Sequence, residues 1–270
     1  RFIVFNEKGN VVAEHQQEFK QHLPDEVSVE HDPHEIWASV NNCIVEVDKK
    51  FPINQISSIG ITNQRETTLA WSKTTGEPLH NALVWQDTRT QDICNELKEI
   101  SALSDEFAKT GLPIATYFSL SKILWLLRNV NEVKKARLKN DLCFGTIDSW
   151  ILYKLTGKHV TDVTNASRTL MMDLKTLNWI DKILDVLDIP KESMPEIKPS
   201  MYNYGTNQSV LKNIPITAVL GDQQASLFGQ NCLTSGEVKN TYGTGCFALT
   251  NTGGEIVHSN NGLLSTVAYQ

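Results

Sequence analysis

Four short loops between apolar segments of this 270-residue chain carry residue types that could do chemistry. Asn63-Gln64-Arg65-Glu66-Thr67-Thr68 places a charge pair at the end of the strand-like run 56–62. Strand ends are where open α/β sheets present groups to ligands, although the same pair would also serve as an exposed ion pair of little energetic weight. Trp85-Gln86-Asp87-Thr88-Arg89 sets an indole at the end of an apolar strand and a carboxylate at the start of the next helix. Trp85 fits either the core or the wall of a pocket, and Asp87 fits a helix cap. Gly221-Asp222-Gln223-Gln224 follows the apolar run 214–220. That order would aim the Asp222 carboxylate out of the sheet end, as a general base requires; an N-cap aspartate fits the pattern equally. In Thr241-Tyr242-Gly243-Thr244-Gly245-Cys246-Phe247, two glycines flanking a threonine would let backbone N–H groups converge on phosphate oxygens, or would close a tight hairpin.

The elements that must position these loops follow from periodicity. Strands are expected at 2–5, 11–13, 56–62, 67–71, 82–85, 214–220, 238–242 and 247–250, with a Gly9-Asn10 turn joining the first two. Asp32-Pro33-His34-Glu35 opens a helix: Asp32 caps, Pro33 takes the first position and Glu35 completes a capping box. His31 and His34 flank that start, and because capping accounts for the local sequence no metal site is expected there. Further helices are expected at 87–100, 119–129 and 179–187, from Gly221 through Phe228, and across 143–154 with its start near Thr146 and its end before Gly157. The alternation defines an α/β protein with a mixed sheet. The polar stretch 229–236 is the expected boundary between a domain at 1–230 and the start of a second at 237–270.

Bulk properties narrow the field. A net charge of −6 argues against a surface built for nucleic acid, and the densest basic run, Lys134 to Lys139, fits the solvated face of a helix. No apolar run approaches the ~18 residues a membrane span needs. The five cysteines are dispersed and lack a CxxC pair, which suits reduced thiols in the cytoplasm. Asn165-Ala-Ser167 and Asn207-Gln-Ser209 match the glycosylation sequon by chance on this reading. Neither GxxxxGK[ST] nor GxGxxG occurs, so phosphate chemistry here would use another fold. Because Arg1 leads straight into a strand with no initiator methionine, the chain reads as a piece of a longer one.

Taken in order, NQRETT, WQDTR, YFSLSKILWLLRN (117–129), GDQQASLFGQ and TYGTGCF resemble the FGGY carbohydrate kinase family, and within it the glycerol kinase branch. The resemblance implies an actin-like, ribonuclease-H-like ATPase fold with two domains about a cleft, and ATP- and Mg²⁺-dependent phosphorylation of glycerol to glycerol 3-phosphate. It implies that Arg65 and Glu66 hydrogen-bond the hydroxyls, that Asp222 is the general base and that Gln223 orients the substrate. Trp85 and Phe247 would pack on the carbon skeleton, Tyr117 would close the pocket, and Arg1, Thr244 and Gly245 would lie by the nucleotide phosphates. Homo-oligomerisation is left open. Leu120-Ser121 stands where the family usually has Gly-Thr, so a different backbone turn is expected there. The family's Mg²⁺-positioning aspartate would precede Arg1. The stretch 207–214 lacks the glycine and arginine of relatives regulated by fructose bisphosphate, so that regulation is not expected. Two alternatives are another FGGY polyol or sugar kinase and a non-catalytic actin-like binding protein. The bulk of Trp85 and Phe247 argues against the first, and a carboxylate at Asp222 beside an Arg65-Glu66 pair argues against the second.

Overall fold

A computed structural model of the chain describes residues 1–206, 211, 213–243 and 245–270. Its centre is the strand Thr68–Ser72, all five residues of which are buried. Alternation sends Ala70 into one apolar core and Leu69 and Trp71 into another on the opposite face, so the strand is covered on both sides. The first core is filled largely from the helices Gln91–Glu99 and Ser119–Asn129, through Ile93, Leu97, Leu120, Ile123 and Leu127. The second takes Trp150 and Leu152 from the helix Ile147–Thr156 and Ile216 and Val219 from a neighbouring sheet. Truncating a fully buried Leu69 to alanine at this junction should cost about 2–5 kcal/mol.

Five strands form one antiparallel sheet in the order Gln21–His22, Glu30–His31, Ala82–Leu83, Thr68–Ser72, Leu142–Thr146. A second sheet places Pro215–Gly221 between Met201–Thr206, which runs antiparallel to it, and Ile59–Asn63, which runs parallel. Phe2–Phe5 and Val11–His15 form the expected hairpin, and Val238–Tyr242 pairs with Cys246–Thr250 in another. Val160–Asp162 and Glu196–Lys198 add a short parallel pair that the sequence did not announce.

Several expectations need correcting. Leu142–Thr146 is a buried strand preceding the helix Ile147–Thr156, not part of that helix; its apolar residues run without a break into the helical stripe, so periodicity alone merges them. Residues 87–88 are irregular and 89–90 a turn, and the helix begins only at Gln91 with Thr90 in the cap position, so Asp87 is not its cap. The strand expected at 82–85 shrinks to Ala82–Leu83. Asp32 does cap the helix Pro33–Asp48 by accepting from the His34 N–H, but the Glu35 carboxylate accepts from Lys20 N instead of closing the capping box. Leu120 and Ser121 lie in the first turn of their helix and are buried. The basic run falls on the helix Asn131–Leu138, with Lys134 and Lys135 exposed as expected. Asn165 is wholly buried, so its sequon is inaccessible, and the sequon at Asn207 lies outside the described residues, as does most of the 207–212 stretch.

Candidate active site

The strands Ile59–Asn63 and Pro215–Gly221 are parallel neighbours, with Thr62 opposite Leu220 and Asn63 opposite Gly221. Their carboxyl ends therefore deliver the NQRETT and GDQQ loops side by side. A buried polar network fixes both ends. The Asn63 and Asn165 amides donate to each other at 3.0 and 3.1 Å. Asp162 accepts from the Thr164 and Asn165 N–H groups and from the Thr164 and Ser200 hydroxyls. The Thr164 hydroxyl oxygen in turn accepts from Gly221 N at 2.9 Å. Asp148 receives the Thr146 and Thr161 hydroxyls. Burial and the nearby Asp162 push the Asp148 carboxyl up to about 6.

Arg65 is almost fully buried and lies across Gly221. A β-carbon at Gly221 would sit 2.7 Å from both Cγ and Cδ of Arg65, so the close approach needs glycine there. The Arg65 Nη1 donates to the Gln224 side-chain oxygen at 3.1 Å. Its Nε lies 3.4 Å from Asp222 Oδ1 and 3.8 Å from Glu66 Oε1, yet makes no hydrogen bond. An unpaired, buried guanidinium N–H thus sits between two carboxylates.

Glu66 has a left-handed backbone, φ 63°, in a residue type that seldom adopts it. Its main-chain oxygen accepts from the Thr68 and Ser119 hydroxyls, and its carboxylate accepts from Arg168 Nε at 2.5 Å. Arg168 is 4% exposed, and its guanidinium faces the rings of Tyr117 and Phe118 at 5.5 and 5.1 Å. The expected Arg65–Glu66 pair is therefore a chain of charges in which Arg168, absent from the sequence reading, holds Glu66 most closely. A lone arginine in an otherwise uncharged run offers no periodic signal.

Tyr117 meets Trp85 edge to face, with centroids 5.6 Å apart, and burial beside Glu66 pushes its phenol up. The loop bearing Tyr117 is held from inside by Lys122, which donates to the carbonyls of Thr116 and Tyr117. Burial lowers the Lys122 ammonium to about 8. Asp87 anchors the next loop by accepting from Val29 N and from Arg89 Nε, and Arg89 also meets Glu30 at 2.8 Å.

Asp222 begins the helix Asp222–Gly229. Gly221 is the cap residue, so Asp222 is the first helical residue and not the expected N-cap, and its side chain is 44% exposed. It accepts from its neighbour Gln223 N at 2.7 Å. Phe247 faces Arg65, with the guanidinium carbon 6.0 Å from the ring centroid. A β-carbon at Gly245 would fall 2.6 Å from the Phe247 ring, so Gly245 itself lies pressed onto that ring. The structure thus brings together Arg65, Glu66, Asp222, Gln223 and Phe247 around one strand end, with Tyr117 and Trp85 joined to them through Arg168. It does not gather Arg1, whose exposed side chain donates to Gln16 at 2.8 Å. Thr244 lies outside the described residues. Among the described residues, no group of three or more His, Cys, Asp or Glu side chains is arranged to hold a metal.

Two parallel strand ends converge on a partly exposed carboxylate, and the fold as a whole is the actin-like ATPase fold, as its structural neighbours show. The profile of the FGGY family of carbohydrate kinases, N-terminal domain, matches residues 1–229, and the chain belongs to that family. A glycerol kinase of Oceanobacillus iheyensis is 51% identical over the whole chain, and glycerol kinase 1 of Clostridium tetani is 52% identical. The chain spans 55% of the length of each. The crystal structure of Plasmodium falciparum glycerol kinase with ADP superposes with a TM-score of 0.94 at 39% identity, covering 99% of this chain and 55% of that one. A gluconate kinase from Lactobacillus acidophilus gives 0.80 at 26% identity, over 90% of this chain and 50% of that one. No helix among the described residues is long and apolar enough to cross a membrane.

Proposed function

We propose that the protein carrying this chain transfers the γ-phosphoryl group of ATP to glycerol, with Asp222 as the general base. The observation that carries this reading is the unpaired Arg65 Nε, held 3.4 and 3.8 Å from the Asp222 and Glu66 carboxylates at two adjoining strand ends. A small polyol offers hydroxyl oxygens to that N–H and hydroxyl protons to the carboxylates. The partly exposed Asp222 is free to take the proton of the attacked hydroxyl as the P–O bond forms. Gln223 orients the same hydroxyl. Trp85, Tyr117 and Phe247 supply apolar walls that keep out water, which would otherwise accept the phosphoryl group.

In this proposal the nucleotide phosphates lie by the glycine turn at Gly243–Gly245, and Mg²⁺ neutralises their charge when bound. Residues 1–230 form the substrate-bearing domain and 237–270 open the second. The cytoplasm is the expected compartment, and buried, free Cys43, Cys94, Cys143 and Cys232 suit it. The 48–52% identity to proteins named glycerol kinases favours glycerol over the larger sugars. The test is glycerol-dependent ADP release by the chain extended to its relatives' length, with xylulose and gluconate in parallel. Turnover on glycerol at least a hundredfold above either sugar is expected. A preference for xylulose or gluconate would reassign the substrate, and no turnover on any of the three would reject the kinase reading.

A further inference from the structure

Lys239 lies in the strand Val238–Tyr242 and is 3% exposed, although nothing in the sequence pattern marks it. Its ammonium donates to the side-chain oxygen of Gln223 at 2.5 Å and to the Thr241 hydroxyl at 2.7 Å. Among the described residues it has no carboxylate hydrogen-bond partner. Burial lowers its pKa, with Arg65 adding to that and Asp222 opposing it. An ammonium is a donor only. A side-chain amide can ordinarily turn over, exchanging oxygen for nitrogen. With its oxygen held by Lys239, the Gln223 amide cannot. Its nitrogen then faces Asp222 Oδ2, at 3.4 Å.

We infer that Lys239 is a positioning residue that fixes the Gln223 amide with its NH₂ turned to Asp222 and the substrate, so that Gln223 meets a substrate hydroxyl only as a hydrogen-bond donor. The inference rests on the proposed function, in which Gln223 touches the substrate. It also gives the hairpin Val238–Thr250 a part in substrate selection, because that hairpin carries the lysine, the glycine turn and Phe247. Without Lys239 the amide could present its oxygen to the Asp222 carboxylate, and the two acceptors would repel each other and the hydroxyl oxygen between them.

Burying an ammonium without a carboxylate partner is costly, and that cost offsets most of what its hydrogen bonds to Gln223 and Thr241 contribute, so replacement by methionine is expected to change stability little. Stability and substrate affinity should therefore part company. In the chain extended to its relatives' length, Gln223→Ala is expected to raise the KM for glycerol roughly tenfold, the worth of one hydrogen bond. Lys239→Met should raise it by a similar factor, with kcat falling less and the melting temperature unchanged or higher. Adding Lys239→Met to Gln223→Ala should raise KM no further, since both act on one contact. Lys239→Gln, whose amide can still donate, should recover part of the loss. A KM within twofold of wild type in Lys239→Met, beside a raised KM in Gln223→Ala, would overturn the inference and leave the proposed function standing. Additive effects in the double variant would overturn it too. An unchanged KM in Gln223→Ala would instead remove Gln223 from the pocket, and the proposed function would lose that contact.

Discussion

Glu66 combines an uncommon backbone conformation with a carboxylate tied to Arg168, and Asp222 has neither constraint. The two acids should therefore respond differently to neutralisation. Asp222→Asn keeps the shape and the contact to Gln223 N but removes the proton acceptor. Turnover of the extended chain is expected to fall roughly 10²–10⁴-fold, while glycerol affinity changes much less; turnover within about threefold of wild type, under ~1 kcal/mol of barrier, would remove Asp222 from the base role. Glu66→Gln leaves Arg168, 4% exposed, facing a neutral partner. Glycerol affinity by calorimetry is expected to drop by about 1–3 kcal/mol, and the midpoint of urea unfolding should fall with it, because breaking one half of a buried pair strands the other charge. Affinity equal to wild type with a lowered midpoint would make the pair purely structural. Of these residues, Arg65, Glu66 and Asp222 were legible in the sequence because each sits in a polar break after an apolar strand. Arg168 and Lys239 were not, since what distinguishes them is burial and partners that are distant along the chain.

At the scale of elements, the site depends on how closely one loop can lie upon another strand's end. Gly221→Ala would drive a methyl group into the Arg65 stem, which is pinned at its far end by Gln224, so the arginine cannot swing clear. A loss of about 1–3 kcal/mol in stability is expected, together with weaker glycerol binding; a variant that melts and binds like wild type would show that the stem has room to move. The network beneath these strand ends carries its own pH signature. Asp148 is raised from 3.8 to about 6 by burial and by Asp162. The folded state therefore holds its proton more tightly than the unfolded state. That contribution to stability is fully present below about pH 4 and is lost as pH rises through about 6. The shift corresponds to roughly 3 kcal/mol. Asp148→Asn should thus gain stability over wild type at pH 8 and gain none near pH 4, and an equal difference at both pH values would show that Asp148 is charged throughout. The helix Ser119–Asn129 and the strands at 2–5 and 238–242 were readable because their apolar spacing is unambiguous. The strand Leu142–Thr146 was not, because a buried strand running directly into an apolar helix shows neither period alone.

Along the chain, the family N-terminal domain at 1–229 is followed by a hairpin that leaves apolar side chains in solvent: Val238 and Tyr242 are 57% and 79% exposed. The 270 residues span 55% of the bacterial relatives' length, and catalysis by positioning falls steeply with small displacements of the site. Expressed alone, residues 1–270 are expected to release ADP at under about 1% of the rate of the extended chain, a loss of more than ~2.7 kcal/mol of barrier stabilisation. Comparable rates in the two forms would mean that the nucleotide site lies within these residues. The meeting of Trp85 and Tyr117 has a use of its own. Of the six tryptophans, Trp71 and Trp150 are sealed in the core and their emission should stay constant, whereas Trp85 is partly open and rests edge-on against the ring that would close over a substrate. A ligand arriving there would change the polarity around Trp85, and a Trp85→Phe control would separate that change from the partly open Trp37, Trp125 and Trp179. The domain thus carries a built-in optical reporter, and a fluorescence titration could follow occupancy of the site without a label and without turnover.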